Sequence, residues 1–333
     1  MTEKLPEIGV VIIGINVERY LADCLNSIYA ADYPRELISV VYVDGGSRDD
    51  SVRLANDYYG VKLIELNDPH PTPGRGRNAG WRSLDTPLIQ FLDADTVMDP
   101  MWFKRALPLL SSRTAAVTGH RRERYPDKNI FHMLTEMEWH YEIGLCRYFG
   151  GDVLISREAL EKTGGFDDDL VAGEDPELSY RVRQEDWDIV RMDTLMTTHD
   201  INMSRFSQYF KRAYRSGHAY AEIALRFMFN GEKLWLRELA RIAMKTLLPP
   251  VFVVLGILTG NGLAGLLIGL LILFRPLFSV QTYRKTSNQF GGKTLIYALH
   301  SAFVIYPQFL GVLRYFYGRI SGNRLMNKGF GAK

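Results

Sequence analysis

A handful of short stretches carry side chains whose types and spacing could do chemistry. Asp93-Ala94-Asp95 closes the apolar run Leu88–Leu92, so two carboxylates stand at the mouth of a buried strand. Such a cluster is costly unless something cationic neutralises it. A divalent ion that prefers oxygen would do so, and would in turn hold a diphosphate. Helix capping or a solvated turn accounts for the pair equally well in isolation. Gly173-Glu174-Asp175 precedes a short helix, where a carboxylate pair either matches the helix dipole or supplies a general base raised in pKa by its neighbour and by burial. Asp44 ends Val41-Tyr42-Val43-Asp44-Gly45-Gly46-Ser47. A carboxylate there can accept hydrogen bonds from a base or ribose edge, although Asp and Gly also simply end strands. Gly74-Arg75-Gly76-Arg77-Asn78-Ala79-Gly80 sets two guanidinium groups and an amide at a helix start, a chemistry suited to phosphate or a uracil carbonyl. His199 is a lone histidine with no ligand spacing nearby, and alone reads as structural.

These stretches sit in a regular alternation. Ile8–Ile15, Ile38–Asp44, Val61–Leu66, Pro87–Asp93 and Ala115–Gly119 read as strands. Between them, Arg19–Ala30, 49–58, Arg75–Leu84 and Asp99–Leu110 read as helices, the last with Pro100 in its first turn. The pattern predicts an α/β fold, a doubly wound and mainly parallel sheet. Ligands on such sheets bind beyond the carboxyl ends of the strands, where Asp44 and the Asp93/Asp95 pair fall.

With 333 residues, the chain is long enough for two domains, or for one large domain with an extension. Residues 1–200 hold 22 Lys+Arg against 35 Asp+Glu, and residues 201–333 hold 18 against 3. An acidic front half argues against a nucleic-acid grip. The basic, apolar back half suits anionic lipid. Ser204–Phe229 interleaves Phe206, Tyr209, Phe210, Tyr214 and Tyr220 with Arg205, Lys211, Arg212 and Arg215, as a helix lying in the lipid interface would. Then 29 uncharged residues separate Lys245 from Arg275, interrupted by Thr259-Gly260-Asn261-Gly262. A hairpin of two spans, 240–259 and 263–283, keeps the flanking Lys and Arg residues on the cytosolic side. Thr294–Leu313 is a third candidate span, with a re-entrant or interfacial helix as the alternative. The expected organisation is a catalytic domain over 1–203, interfacial helices over 204–239 and two to three membrane helices over 240–333. The first apolar run is too short for a signal peptide, so the catalytic half is expected in the cytosol. Two cysteines, Cys24 and Cys146, exclude a disulfide scaffold. A nucleophile elbow, a phosphate-binding loop and a dinucleotide fingerprint are all missing from the sequence; the first strand leads into Asn-Val-Glu-Arg.

Individually modest, these signals occur in an order that resembles family 2 glycosyltransferases. It comprises NVERYLADCLNSIYAADYP at 16–34, VDGGSRD at 43–49, GRGRNAG at 74–80, DAD at 93–95, GG…LISREALEKTGGFD from 150 to 167, GED at 173–175 and the late His199. The resemblance covers about residues 8–200 and implies a GT-A fold, a nucleoside-diphosphate-sugar donor with UDP expected, a divalent metal (Mg²⁺ or Mn²⁺) and inversion at the anomeric carbon. By position it assigns Asp44 and Arg77 to the nucleobase and Asp93 to the ribose or diphosphate, with Asn16, Arg75 and Asn78 completing the donor set. Asp95 and His199 would hold the metal and diphosphate region. Asp175, beside Glu174, would be the catalytic base, and Gly150, Gly151 and Asp152 would line the acceptor side. Processive synthases of the family carry Gln-x-x-Arg-Trp on the interfacial helix. Here Gln208-Tyr-Phe-Lys-Arg212 has neither that spacing nor the tryptophan. The expectation is therefore single-sugar transfer to a lipid-linked saccharide or polyprenyl phosphate, in the cytoplasmic membrane of a bacterium or archaeon. A processive polysaccharide synthase and a non-catalytic nucleotide-binding scaffold are the alternatives.

Overall fold

The structure is a computed structural model and describes residues 5–139, 141–278 and 293–322. The chain forms two compact units: residues up to 126 together with 141–202, and 127–139 together with residues from 203 onward.

The first unit is built on a strand buried along its whole length, β1 (Ile8–Gly14). Val10 and Ile12 face a layer holding Leu21, Leu25 and Ile28 of α1 (Glu18–Tyr29) and Trp102 and Phe103 of α4 (Trp102–Ala106). Val11 and Ile13 face the opposite layer, with Trp81 of α3 (Pro73–Arg82), Leu160 of α6 (Arg157–Thr163) and Leu178 and Val182 of α7 (Glu174–Gln184). Burial on both faces explains why the strand reads as a continuous apolar run rather than an alternation. Each such side chain is worth roughly 1.5–3 kcal/mol of burial, so the strand ends are held firmly where the polar groups begin.

Around β1, the strands β2 (Ile38–Asp44), β3 (Val61–Glu65) and β4 (Leu88–Asp93) are parallel, with α2 (Ser51–Asp57) between β2 and β3. Beyond β4 the sheet is mixed. It contains β5 (Thr96–Met98), β6 (Thr114–Glu123), β7 (Gly144–Leu145), β8 (Val153–Ser156) and β9 (Asp188–His199). The order is β3-β2-β1-β4-β8-β6-β9-β5, with β7 paired to β9. β8 runs antiparallel to both β4 and β6, whereas β9 is parallel to β6. The expected mainly parallel sheet is present, with an antiparallel strand inserted at its centre.

Three stretches differ from the sequence reading. β6 continues through the charged residues to Glu123 rather than stopping at Gly119, and β9 over Asp188–His199 is a long strand beyond those expected. The helix expected over 99–110 is only α4, followed by a 3₁₀ turn over Leu107–Leu109, where Pro108 removes an amide donor.

The second unit contains α5 (Ile130–Glu138), a helix not expected from the sequence, whose cap Asn129 accepts from the amides of Phe131 and His132. Among the described residues, its other helices are α8 (Phe206–Arg226), α9 (Leu236–Leu258), α10 (Gly262–Leu273), and α11 (Thr294–Phe303) running on into α12 (Ile305–Ser321). Gln208 caps α8, its Oε1 accepting from the amides of Ser204 and Arg205 at 2.9 and 3.0 Å. α8 meets α12 backbone to backbone: a Cβ on Gly217 would fall 1.9 Å from the Gln308 carbonyl, and one on Gly311 2.0 Å from that of Tyr214. Leu236–Leu258 and the 28-residue run Thr294–Ser321 are long and apolar enough to cross a bilayer. α10, with 12 residues, reaches about 18 Å, short of the roughly 30 Å hydrocarbon core. The end of the expected second span, 279–283, lies outside the described residues.

Candidate active site

The parallel half of the sheet brings the first carboxylates together. The registers Gly14↔Asp44 and Ile13↔Asp93 set Asp44 and Asp93 on the two flanks of β1, at one carboxyl edge. The mixed half supplies the rest: Arg121↔Thr197 and Glu123↔His199 are paired on β6 and β9.

Arg77, on α3, is at the centre. Its side chain is 3% exposed and meets Asp93 Oδ1 at 2.9 Å through Nη2 and Glu174 Oε1 at 2.8 Å through Nη1. Asp175 Oδ1 lies 3.5 Å from Nη1, an ion pair without a hydrogen bond. Asp175 Oδ1 is therefore a buried carboxylate oxygen whose lone pairs remain open. Burial, reinforced by Glu174 and only partly opposed by Arg77, pushes Asp175 up to about 8. Asp93 is half-buried, and although its desolvation acts against ionisation, Arg121 and then Arg77 more than offset that and hold it down at about 2. Two carboxylates a few ångströms apart are thus driven in opposite directions, the signature of distinct roles.

Asp95 follows Asp93 by two residues and faces His199, with Nε2 to Oδ1 at 3.0 Å. Burial acts against its ionisation, but His199 lowers its pKa. One ligand atom each from Asp93, Asp95 and His199 lie within 4.8 Å of one another. Hard carboxylate oxygens with one imidazole fit a divalent ion of the Mn²⁺ or Mg²⁺ kind.

Gly151 closes over this cluster. A Cβ there would stand 2.8 Å from both Arg77 Nη2 and Asp93 Oδ2, so only glycine lets the backbone approach the pair. Gly150 faces open space. Asp152, expected at the acceptor, is turned inward instead. Its carboxylate is 1% exposed and accepts from Arg121 Nε at 3.0 Å and Thr197 Oγ1 at 2.6 Å.

The remaining expected donor residues have local partners. Asp44 is buried, and its carboxylate accepts from the Tyr42 and Ser47 hydroxyls and from the amides of Gly46 and Ser47. Asn16, at φ 54, accepts from the Arg48 amide and ties the end of β1 to the loop after β2. Asn78 clamps the loop after α6, donating to Phe166 O and Asp168 Oδ1 and accepting from Phe166 N and Trp81 Nε1. Arg75 holds the same loop through Asp168 O and Asp169, and pairs with Asp68. The structure thus gathers Arg77, Asp93, Asp95, Gly151, Asp152, Glu174, Asp175 and His199, and sets Arg75 and Asn78 behind them as supports. Arg121 and Thr197 belong to the cluster without being among the expected site residues; the strand bearing Arg121 runs four residues past its expected end at Gly119. Gly119-His120-Arg121-Arg122-Glu123 has no apolar alternation, so no local signal marks it as strand.

Comparison with known proteins fits this geometry. The profile described as Glycosyl transferase family 2 matches residues 9–166, and one described as the N-terminal domain of galactosyltransferase matches 131–206. Residues 9–166 thus carry a glycosyl transferase family 2 domain. Glycosyltransferase AglE of Haloferax volcanii is 22% identical over 232 residues, covering 67% of this chain and 76% of that protein. Probable glycosyltransferase YdaM of Bacillus subtilis is 26% identical over 199 residues, and there the match spans 54% of this chain and 47% of the relative. Among solved structures, the mannosyltransferase PcManGT from Pyrobaculum calidifontis, in complex with GDP-Man and Mn²⁺, superposes with a TM-score of 0.64 at 15% identity, over 95% of this chain and 89% of the other. TarS residues 1–349 from S. aureus, in complex with UDP-GlcNAc, give 0.52 at 12% identity, over 95% and 92%. The fold is the GT-A type of these proteins.

Proposed function

We propose that this chain transfers one sugar from a nucleoside-diphosphate sugar, UDP-linked by preference, to a lipid-linked acceptor at the cytosolic face of a membrane, with inversion. The observation that carries the reading is Asp175: a largely covered carboxylate at the start of α7, raised to about 8, with one buried oxygen that accepts no hydrogen bond. In that state it takes the acceptor hydroxyl proton as the sugar is attacked, and Arg77 stabilises the ionised carboxylate between turnovers. Glu174 holds Arg77 in reach through its 2.8 Å bond. Asp93, ionised under two guanidinium groups, offers an acceptor for ribose hydroxyls. Asp95 and His199 would hold a divalent ion, which supplies charge stabilisation for the departing nucleoside diphosphate. One base and one separate cation site match the needs of a single displacement without a covalent intermediate.

The nucleotide sugars and Mn²⁺ bound in the TarS and PcManGT structures support the donor class and the metal. The lipid-linked acceptor is supported by the basic back half and by the two helices long enough to cross a bilayer. A catalytic unit tethered beside such an acceptor gains local concentration and orientation.

The test is a donor screen of the full-length protein in detergent with Mn²⁺ or Mg²⁺, scoring nucleoside diphosphate release with and without polyprenyl-linked acceptors. Release that depends on both donor and lipid acceptor is expected. Turnover on soluble sugars alone would remove the lipid from the proposal, and no release with any donor would remove the proposal itself.

A further inference from the structure

Asp93 and Asp95 share one turn but have opposite neighbours. Each oxygen of Asp93 accepts from a guanidinium: Arg77 Nη2 reaches Oδ1 at 2.9 Å and Arg121 Nη2 reaches Oδ2 at 2.8 Å. Asp95 instead faces an imidazole. Arg121 is forked between two carboxylates, because its Nε donates to Asp152 Oδ2 at 3.0 Å and its Nη2 also reaches Asp152 Oδ1 at 3.2 Å. Asp152 is braced in turn by Thr197 Oγ1 at 2.6 Å and by the Asp93 amide at 3.2 Å. A closed ring results, running from the Asp93 amide through Asp152 and Arg121 back to the Asp93 carboxylate. With Thr197 bound to Asp152, it ties β4, β6 and β9 together.

We infer that Arg121 is a positioning residue: held by Asp152 and Thr197, it locks the Asp93 carboxylate in place for the donor and keeps it off the cation, which is left to Asp95 and His199. The inference rests on the glycosyl-transfer reading above. Two guanidinium groups against Asp93 repel a divalent ion approaching that carboxylate. An imidazole against Asp95 adds a ligand instead. The fork is also specific to arginine, since an ammonium is a point charge and does not present two donors in a fixed plane to two carboxylates. Gly151, where a Cβ would stand 2.8 Å from Asp93 Oδ2, brings its bare backbone against the same carboxylate.

The test uses the full-length protein in detergent with three variants, Arg121→Lys, Arg121→Gln and Thr197→Val. Turnover is measured alongside Mn²⁺ binding without donor, by the paramagnetic resonance signal of the free ion. Arg121→Lys keeps the charge and loses the fork. Its kcat is expected to fall about 10- to 100-fold, the usual cost of disturbing a group that orients a site residue, with Mn²⁺ affinity unchanged. Arg121→Gln should lose turnover similarly yet bind Mn²⁺ several-fold tighter, because one of the two repelling guanidinium groups is gone and Asp93 Oδ2 is released to join the ligands. A purely structural role would weaken both together. Wild-type kcat in Arg121→Lys, or weaker Mn²⁺ binding in folded Arg121→Gln, overturns the inference. If Arg121→Gln does not fold, Thr197→Val decides: lowered kcat with unchanged Mn²⁺ affinity is expected, and wild-type kcat overturns it. A wild-type protein with no turnover on any donor would instead defeat the glycosyl-transfer reading, while the Mn²⁺ titrations would still report on Arg121.

Discussion

If Asp175 is the base, its surroundings dictate how the reaction responds to pH. Burial is the largest influence on Asp175, the negative charge of Glu174 adds to it, and Arg77 works against both, leaving the group at about 8. Only the ionised form accepts a proton, so activity must rise with pH until that value is passed. At pH 6 about one molecule in a hundred would carry the base ionised, and at pH 8 about half, so kcat/KM should climb about 50-fold across that interval. The parameter to follow is kcat/KM for the donor, which reports the groups of the free enzyme. Glu174→Gln removes the adjacent negative charge and leaves Arg77 Nη1 to Asp175. The acid limb should then move down by roughly one pH unit, as expected for loss of a neighbouring like charge. Asp175→Asn should remove the limb altogether and lower kcat by about 10²–10⁴, with donor affinity little changed. A profile already flat above pH 6, or a limb that survives Asp175→Asn, would refute the reasoning.

Three further outcomes follow from the geometry. Chelation by EDTA should abolish transfer and Mn²⁺ or Mg²⁺ restore it, while Asp95→Asn should cost several kcal/mol of transition-state stabilisation; full activity of dialysed, chelated protein contradicts this. Asn78→Ala strips partners from Phe166 and the Trp81 indole in a buried clamp, and should cost about 2–4 kcal/mol of stability, read from denaturant midpoints. Gly217→Val puts a side chain where the Gln308 carbonyl stands; it should destabilise the second unit by about 1–3 kcal/mol or more, seen as a lowered Tm in detergent.

The alternation of strands and helices from β1 to α4 is legible because β1, β2 and β4 are buried on both faces and their apolar runs are nearly unbroken. Legibility failed where strands enter the site. Arg121, Arg122 and Glu123 extend β6 but look like a polar loop, since the end of a functional strand exchanges apolar residues for charges. The acidic pairs Asp93/Asp95 and Glu174/Asp175 could be found by type and spacing, but their partners could not, because Arg77 and Glu174 are 97 residues apart in sequence. Asp44 shows the opposite limit. Its position at the strand end was readable, whereas the saturation of its carboxylate by its own turn depends on backbone geometry. Helix α5 carried an Asn cap and an apolar face that were overlooked. That it belongs with the second unit, far away in sequence, is a tertiary fact no local pattern encodes.

The central claim is a single displacement at the anomeric carbon with Asp175 as base. It is tested most directly by following one turnover of donor to lipid-linked product with the full-length protein. Nucleoside diphosphate and product are counted together, and the anomeric configuration of the product is read by NMR. One product per nucleoside diphosphate, with configuration opposite to the donor, is predicted, together with product formation slowed about 10²–10⁴-fold in Asp175→Asn that still binds donor. Retained configuration, or product formed at the wild-type rate by Asp175→Asn, would contradict it.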